Sequence, residues 1–355
     1  MKWEGSNTTN LGIDLGFFDN RLNLTAELFI KNTKDLLLSQ SLAHITQMQN
    51  VGKIQNKGIE LSLNSTNIQT RNFTWQTNFN ISFIRNTLKS LASGVNYMQA
   101  RSGFDSNFTS YDYMAIVGQS LGFVYGYEFD GIYQYSDFYS VPGSSTLILK
   151  EGVTSNPSLG NRLSPGAVKY KDQDGDGVIT TKDRTVIGNA LPKWYGGITN
   201  TFNYKGIDFS FMLQFNYGND IYNATRLYAT QTNTQRRNQL AEVADRWSPT
   251  NASNKVPRYN GYVVNDVYSR FVEDGSFLRL KNITLGYTLP HKWTRSFHVS
   301  KLRVYATGQN LFCLNNYSGY DPEVSTASKS PMTPGLDWGA YPKSRVFTFG
   351  IDLQF

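Results

Sequence analysis

The sequence predicts an all-β fold, an antiparallel transmembrane β-barrel of which this chain forms a part. Apolar and polar residues alternate over segments of about ten residues, the length that a tilted strand needs to cross a bilayer. The chain is aromatic-rich, with 22 Tyr and 22 Phe, and only 17% of its residues are charged. Its longest apolar runs fall far short of the roughly 20 residues of a transmembrane helix, which excludes a helical membrane protein.

The clearest alternation runs from Phe73 to Phe83. Its odd positions are almost all aromatic or aliphatic, and its even positions carry Thr, Gln, Asn and Ser. Apolar residues facing lipid and uncharged polar residues facing an aqueous lumen are typical of a transmembrane barrel, whereas a soluble surface would carry more Lys and Glu. Aromatic residues near predicted strand ends suit the two membrane interfaces: Phe73, Trp75, Tyr204, Tyr217, Tyr287 and Trp293.

About nine segments are predicted to cross the membrane. They are 9–18, 21–32, 54–65, 72–85, 194–204, 206–218, 276–289, 301–312 and 344–355. Short connections at 19–20, 66–70, 205–206 and 290–300 alternate with long ones at 33–53, 219–275 and 313–343. This alternation of short periplasmic turns and long extracellular loops holds if residues 86–193 form one large extracellular excursion.

The excursion contains an apolar stretch, 121–133, that is either part of it or one arm of a further pair of crossings. Its aromatic residues are candidates for stacking on sugar rings, and equally for packing within the loop. They are Tyr111, Tyr113, Tyr125 and Tyr127, with Trp194 at its end. The sequence leaves the substrate-binding residues unknown.

Nine strands do not close a single-chain bacterial barrel, which has an even number. An isolated nine-stranded sheet would also leave unpaired amide groups at two edges in lipid, each costing several kcal/mol. The opening residues lack the pattern of a secretory signal. We therefore expect the chain to be the C-terminal piece of a larger protein.

Composition excludes several other classes of function. The single cysteine, Cys313, cannot form an internal disulfide, and the three histidines (His44, His291 and His298) lack zinc-ligand spacing. The net charge of +7 comes from basic residues scattered along the chain, so no nucleic acid partner is expected. Nucleophile elbows, phosphate-binding loops and metalloprotease motifs are missing from the sequence, which predicts no enzyme.

Several motifs resemble those of the SusC/RagA-like TonB-linked outer-membrane proteins. The resemblance extends along essentially the whole chain, with the motifs in the family's order. They are Asn56–Leu61 (NKGIEL), Tyr170–Asp172 (YKD) leading to Asp176-Gly177, Ile187–Asn189 (IGN), Tyr204–Asp208 (YKGID), Ser276–Pro290 (SFLRLKNITLGYTLP), Gly308–Phe312 (GQNLF) and Tyr317–Glu323 (YSGYDPE).

The resemblance implies a transporter of the cell outer membrane. Such a protein has an N-terminal plug, a TonB-contacting segment and a 22-stranded barrel, and it imports nutrients, commonly oligosaccharides or peptides, beneath a SusD-like surface lipoprotein. The chain is expected to supply the last part of the barrel, without the plug and the TonB-contacting segment. The implied partners are the SusD-like lipoprotein, the TonB complex through the missing N-terminal part, the barrel-assembly machinery and outer-membrane lipid.

The final strand ends in an aromatic residue on its apolar face. Phe349, Ile351, Leu353 and Phe355 form that face. The family resemblance implies that they are the signal recognised by the barrel-assembly machinery. An ordinary edge strand is the alternative.

Residues 172–183 follow the spacing of a calcium-binding loop. Asp172, Asp174 and Asp176 occupy positions 1, 3 and 5, a glycine follows at 6, and the carbonyl of Val178 stands at 7. Thr180 and Asp183 complete the predicted set. Three neighbouring carboxylates favour a hard cation, and Asp183 in place of the usual Glu predicts weak affinity. An acidic turn that carries no ion remains the alternative.

Two other hypotheses stay open from the sequence. The first is a soluble, calcium-stabilised β-sandwich that acts as a binding module, because the inward and outward faces of a sandwich also alternate. A monodisperse protein in plain buffer would support it. The second is a nonfunctional truncated transporter fragment, which the DNA upstream of Met1 would identify.

Overall fold

The computed structural model describes residues 3–42, 45–231, 238–327 and 330–355, with the backbone alone for residues 37–42, 45–49, 51 and 297. Strands dominate. In chain order they are β1 (Gly5–Phe17), β2 (Leu22–Leu42), β3 (Ile45–Gln69), β4 (Phe73–Ser90), β5 (Tyr97–Ala100), β6 (Tyr113–Ile116), β7 (Phe123–Tyr127), β8 (Phe129–Ile132), β9 (Phe138–Ser140), β10 (Leu147–Leu149), β11 (Val168–Tyr170), β12 (Arg184–Asn189), β13 (Trp194–Tyr204), β14 (Ile207–Tyr217), β15 (Asp220–Asn223), β16 (Val272–Asp274), β17 (Phe277–Thr288), β18 (Lys301–Asn315), β19 (Leu336–Asp337) and β20 (Val346–Gln354).

Two short α-helices and six 3-10 turns complete the described secondary structure. The helices are α1 (Ala224–Thr230) and α2 (His291–Thr294). The 3-10 turns are Tyr135–Asp137, Pro157–Arg162, Thr181–Asp183, Ala241–Asp245, Ser269–Phe271 and Arg295–Phe297. In the part of the chain that the structure describes, no helix combines the length and apolar character needed to span a membrane.

Nine strands form one antiparallel sheet in the order β1-β2-β3-β4-β13-β14-β17-β18-β20. Each predicted crossing corresponds to one of these strands, so the predicted number of crossings is confirmed. The sheet is open, with β1 and β20 at its edges. The stretch 121–133 contributes β7 and β8, which lie outside this sheet and belong to the excursion.

The register aligns the apolar positions of all nine strands on one face. Leu28 lies opposite Ile59, and Ile59 opposite Phe83. At the other end of the sheet, Val304 pairs with Ile351. Because a shift of one residue would turn a strand's apolar side chains to the other face, the alternation in the sequence fixes this register.

The apolar face is exposed, although it is made of large side chains. Leu285 is 55% exposed, Ile351 65% and Phe349 81%. A soluble sandwich would cover these side chains with a second sheet, yet the described residues form no such sheet over them. The sandwich hypothesis is therefore wrong, and the exposed face fits lipid.

Aromatic groups mark the two ends of the apolar face. At the end with the short turns, Trp75 stacks on Phe202 with ring centroids 5.6 Å apart. At the opposite end, Trp194 stacks on Tyr217 at 4.8 Å. The ten steps from Trp194 to Tyr204 along a strand tilted by about 40° span about 25 Å, the height of the apolar band of an outer-membrane barrel.

All long connections leave the sheet on one side. They are residues 91–193, 218–276 and 316–345, which together we call the cap. The cap contains the main buried core, to which all three connections contribute, for example through Tyr170, Tyr222 and Leu336. The sheet therefore presents its apolar residues outward, while the cap packs around a core of its own.

One long connection predicted from the sequence is shorter than expected. Residues 33–53 were expected to form a loop, but β2 and β3 continue as a paired ribbon to Leu42 and Ile45. Backbone pairing forms this ribbon, with a hydrogen bond of 2.7 Å from the Asn50 side chain to the Asp35 carbonyl, and beyond the membrane it needs no alternation of apolar residues. Similarly, β3 extends through the predicted link at 66–70 as far as Gln69.

A buried ion pair joins the sheet to the cap and links two of the motifs named above. Arg279 of β17 donates to Asp321 at 2.5 Å, and their side chains are only 4% and 9% exposed. The backbone amides of Glu323 and Lys343 also donate to the Asp321 carboxylate, at 2.9 and 3.2 Å. Glu323 in turn pairs with Lys343.

We predict that Asp321→Ala destabilises the protein by about 3–5 kcal/mol, because it removes the main partner of the buried Arg279 charge, which then keeps only Glu323 at 3.6 Å. Thermal unfolding in detergent, followed by tryptophan fluorescence, measures the effect. The control is Asp130→Asn, which removes an exposed partner 3.9 Å from Lys169 and should cost about 0–1 kcal/mol. Equal small shifts for both variants would contradict a stabilising role for the buried pair.

Candidate functional site

The face of the nine-stranded sheet opposite the apolar one is polar and rich in amides and hydroxyls. Asn86 donates to Asn56 at 2.7 Å, and Asn78 donates to Asn64. Thr284 and Thr307 share a hydrogen bond of 3.0 Å. These uncharged side chains satisfy one another across the strands and also offer donors and acceptors to water or to a polar solute, as the lumen of a barrel does.

One charged cluster interrupts this polar face near the short turns. Arg303 of β18 binds Asp208 of β14 with two hydrogen bonds of 2.9 and 2.6 Å, and binds Asp352 of β20 at 3.0 Å. The pair with Asp208 reaches across β17 at Gly286, where a Cβ atom would lie 2.6 Å from both groups. Glycine is therefore required there for the cluster to form.

Sequence reasoning missed this cluster and the pair between Arg279 and Asp321. The residues of the cluster are 95 and 49 positions apart in the chain. No local spacing indicates such pairs. The signal that would have found them is strand register, since Asp208 lies opposite Gly286 and Gly286 opposite Tyr305 once β14, β17 and β18 are aligned.

The aromatic residues of the first excursion pack inside the cap. Tyr113 is fully buried, and Tyr127 stacks on Tyr170 with centroids 4.8 Å apart. The hydroxyl of Tyr170 donates to Asp266 at 3.0 Å. Packing therefore accounts for Tyr113 and Tyr127, two of the candidates for sugar contact. Tyr111, by contrast, is 45% exposed.

Two carboxyl groups are buried in the same core. Burial raises the pKa of Asp266 to about 6, against the hydrogen bond from Tyr170, which lowers it. Burial also raises the pKa of Asp112 to about 6, although the side chain and backbone of Ser102 donate to it. Both carboxylates therefore sit in an apolar setting that disfavours their charge.

The predicted calcium loop lies in the cap between β11 and β12. Asp172, Asp174 and Asp176 each place a carboxylate oxygen within 4.8 Å of the others. Asp172 also accepts from the amides of Gly175 and Gly177, both at 2.7 Å. Those glycines have φ of 77° and 82°, a left-handed conformation that lets the loop turn back on its first carboxylate.

The other three predicted ligands have further contacts of their own. Asp183 is buried, and its two oxygens accept from the amides of Gln173 and Thr180 at 2.8 and 2.7 Å. Burial acts to raise the pKa of Asp183, but these backbone hydrogen bonds outweigh it and lower the pKa. Thr180 caps the 3-10 turn that follows, and Val178 forms a β-bridge with Ser155.

Three converging carboxylates fit a hard divalent cation. Oxygen ligands are those that calcium prefers, and the described residues supply no basic side chain in an ion pair with the three. Asp172, Asp174 and Asp176 would form the compact part of such a site. A bound cation would neutralise the repulsion among them.

The C-terminal strand is fully extended along the edge of the sheet. β20 pairs with β18 from Lys301↔Gln354 to Gln309↔Val346. Its apolar side chains all point away from the polar face and are exposed: Phe349 81%, Ile351 65%, Leu353 51% and Phe355 87%. The four predicted residues therefore share one surface, and Phe355 lies directly after the strand end.

A family model described as "TonB dependent receptor-like, beta-barrel" matches residues 1–311. The chain belongs to this family. The resemblance to SusC/RagA-like proteins is thereby confirmed, and so is the location in the outer membrane. The sheet described above is a part of a transmembrane barrel, with its apolar face toward lipid and its polar face toward the lumen.

Curated relatives match the whole chain. TonB-dependent receptor P3 of Formosa agariphila is 35% identical over 365 residues, which cover 100% of this chain and 34% of the relative. TonB-dependent receptor SusC of Bacteroides thetaiotaomicron is 29% identical over 366 residues, covering 100% of this chain and 32% of the relative. The chain thus spans about a third of the length of the curated relatives it matches.

Solved structures share the fold. The structure of the RagAB peptide transporter superposes with a TM-score of 0.77 at 22% identity, covering 100% of this chain and 36% of the other. The RagAB peptide importer in its "open-open" state gives a TM-score of 0.75 at 23% identity, with 100% and 35% coverage. At this identity the likeness concerns the fold alone.

Proposed function

We propose that the protein carrying this chain imports a nutrient across the outer membrane and that the chain forms the C-terminal part of its barrel wall. The observation that carries the proposal is the two-faced sheet, which lines a polar passage on one side and meets lipid on the other. Membership of the TonB-dependent receptor family supports import as the activity. The protein would not be an enzyme.

The substrate would be an oligosaccharide or a peptide. Amides and hydroxyls line the lumen face, and they hydrogen-bond to sugars and to peptide backbones alike. A protein of the same fold is named a peptide transporter, so peptides are tested beside oligosaccharides. On the lumen face near the short turns, Arg303 is already paired with two carboxylates.

The proposed partners are those of the family. A SusD-like surface lipoprotein would sit above the cap, since the cap is the long-loop side of the sheet. The TonB complex would act through the N-terminal part of the full protein. In this arrangement residues 86–193 are extracellular and carry the acidic loop 172–183.

Deletion of the gene in its source bacterium tests import. The mutant should lose growth on a tryptic digest of casein or on a panel of purified oligosaccharides, each given as sole carbon source. A strain lacking TonB should show the same loss, and the restored gene should reverse it. Normal growth of the mutant on every probe would contradict the proposal.

We further propose that Asp172, Asp174 and Asp176 bind calcium. Their convergence within 4.8 Å supports this. Val178, Thr180 and Asp183 complete the predicted set, although Asp183 now holds two backbone amides and would enter the site only if one of them were released. Calcium would neutralise the three carboxylates and hold the first half of the loop, directly after β11, in one conformation.

Calorimetry of the full protein in detergent measures the binding. We expect heat of binding in the micromolar to millimolar range of calcium, and a fall in the cap's unfolding temperature when EGTA is added. Asp174→Asn combined with Asp176→Asn should abolish both effects, because only one carboxylate of the three remains. Glu151→Gln, an exposed acidic residue outside the loop, is the matched control. A lack of calcium heat at millimolar ion would end this proposal.

We also propose that Phe349, Ile351, Leu353 and Phe355 form the signal for the barrel-assembly machinery. Their shared exposure on the edge strand supports a surface that a partner protein can bind. Deletion of Phe355 in the full-length protein should lower its level at the cell surface several-fold, measured by surface labelling. Gln354→Ala changes the neighbouring residue on the opposite face and should have little effect. Unchanged surface levels without Phe355 would contradict this role.

A further inference from the structure

Four exposed basic side chains lie above the apolar face on two neighbouring strands. They are Lys53 and Lys57 of β3 and Arg85 and Lys89 of β4. Lys57 and Arg85 are direct cross-strand partners in the antiparallel register. This basic patch is the feature from which the inference starts.

Register places Lys57 and Arg85 on the lipid side of the sheet. Each lies two positions from a residue of the apolar face, Lys57 from Ile59 and Arg85 from Phe83, so they point the same way. The chain neighbours Asn56 and Asn86 point to the opposite side, the lumen, where Asn86 donates to Asn56 at 2.7 Å. At this level β2 pairs with β3 through Ile30 and Lys57, whereas the pairing of β4 with β13 ends at Ser82, three residues before Arg85.

The level of the patch corresponds to a membrane interface. Tyr195 pairs with Ser82, so Phe83 stands at the level of Trp194 in the aromatic group on the cap side. Lys57 and Arg85 lie two residues further along their strands than Ile59 and Phe83, which is a distance of about 7 Å. On that side of a barrel, the lipid headgroups of the outer leaflet lie just beyond the aromatic belt.

The two central charges have no acidic partner among the described residues. Like charges directly opposite each other on an antiparallel pair have Cβ atoms about 4.5–5.5 Å apart and destabilise the sheet. The other two arginines in the nine strands each pair with a carboxylate, Arg279 with Asp321 and Arg303 with Asp208. Arg85, unlike them, lies opposite a lysine. An anion from outside the chain would relieve the repulsion between these two positive charges.

We propose that Lys57 and Arg85, supported by Lys53 and Lys89, bind the phosphate groups of an anionic lipid in the outer leaflet. Arginine binds phosphate through paired hydrogen bonds, and lysine adds a point charge. The acyl chains of the same lipid would pack on the row formed by Leu28, Ile59 and Phe83 just below. The lipid headgroup would thus contact the basic patch while the acyl chains of the same lipid contact the apolar row.

A second copy of the chain fits this patch less well. Two copies related by a two-fold axis through it would bring eight cations together without a described acid to pair them. An anionic lipid removes that repulsion, because its phosphates carry the opposite charge. Basic clusters at the headgroup level are typical sites of anionic lipid recognition.

The test uses the full-length protein in neutral detergent, with diphosphorylated lipid A as the probe and native mass spectrometry as the readout. The variant is Lys57→Gln with Arg85→Gln. Lys31→Gln is the matched control, since Lys31 is also exposed but pairs with Asn56 on the lumen face. A charge-conserving variant, Lys57→Arg with Arg85→Lys, separates loss of charge from loss of fold.

We expect the double Gln variant to bind lipid A about tenfold or more weakly, while the control and the charge-conserving variant bind as the unaltered protein does. Binding of the unaltered protein should also weaken with added salt, as electrostatic screening requires. Equal binding by the double Gln variant would overturn the proposal. So would full displacement of the lipid by millimolar inorganic phosphate, which would indicate a site for free anions, or dimer formation that excludes lipid. The lipid-binding measurement does not depend on growth. Failure of the lipid proposal can therefore be distinguished from failure of the proposed import.

Discussion

The structure depends on one constraint, which is that backbone amide and carbonyl groups inside a bilayer must bind one another. A continuous antiparallel sheet satisfies them strand by strand, and its side chains then divide between lipid and lumen. The nine strands meet this constraint with a register that keeps Leu28, Ile59 and Phe83 in one row across three strands. The up-and-down path places successive connections on alternate sides, and here one side has the short turns and the other the long connections.

The constraint also explains where the buried core lies. A sheet that faces lipid on one side and water on the other needs no apolar interior. The cap, which stands in water, must bury its own apolar residues, and it does so around tyrosines such as Tyr133, Tyr170 and Tyr222. The pair between Arg279 and Asp321 connects these two regions at the rim. Two motifs that lie far apart in the sequence therefore meet in one contact.

The sequence predicted the sheet well and the cap poorly, for physical reasons. Alternation with period two reports directly on a strand between lipid and water, so each of the nine crossings was located. The ribbon formed by β2 and β3 escaped prediction because pairing outside the membrane leaves no such pattern. The cap is built from short strands joined by distant contacts, such as Tyr222 with Leu336 in parallel β15 and β19.

The same distinction applies to candidate sites. The acidic loop was visible because its three carboxylates are close in the chain, and the structure brings Asp172, Asp174 and Asp176 together. The Arg303 cluster and the basic pair of Lys57 and Arg85 required strand register, which relates residues far apart in sequence. Asp183 shows the limit of spacing arguments, because its carboxylate caps a 3-10 turn next to the loop.

The most direct test of the account is the environment of two adjacent residues in β3. Spin labels at Leu61→Cys and at Ser62→Cys, with Cys313 replaced by serine, would be compared in the full-length protein reconstituted in liposomes. The account predicts that the label at 61 is reached by oxygen dissolved in lipid and the label at 62 by a water-soluble nickel complex. Equal accessibility, or the reverse order, would contradict a sheet that separates lipid from an aqueous lumen.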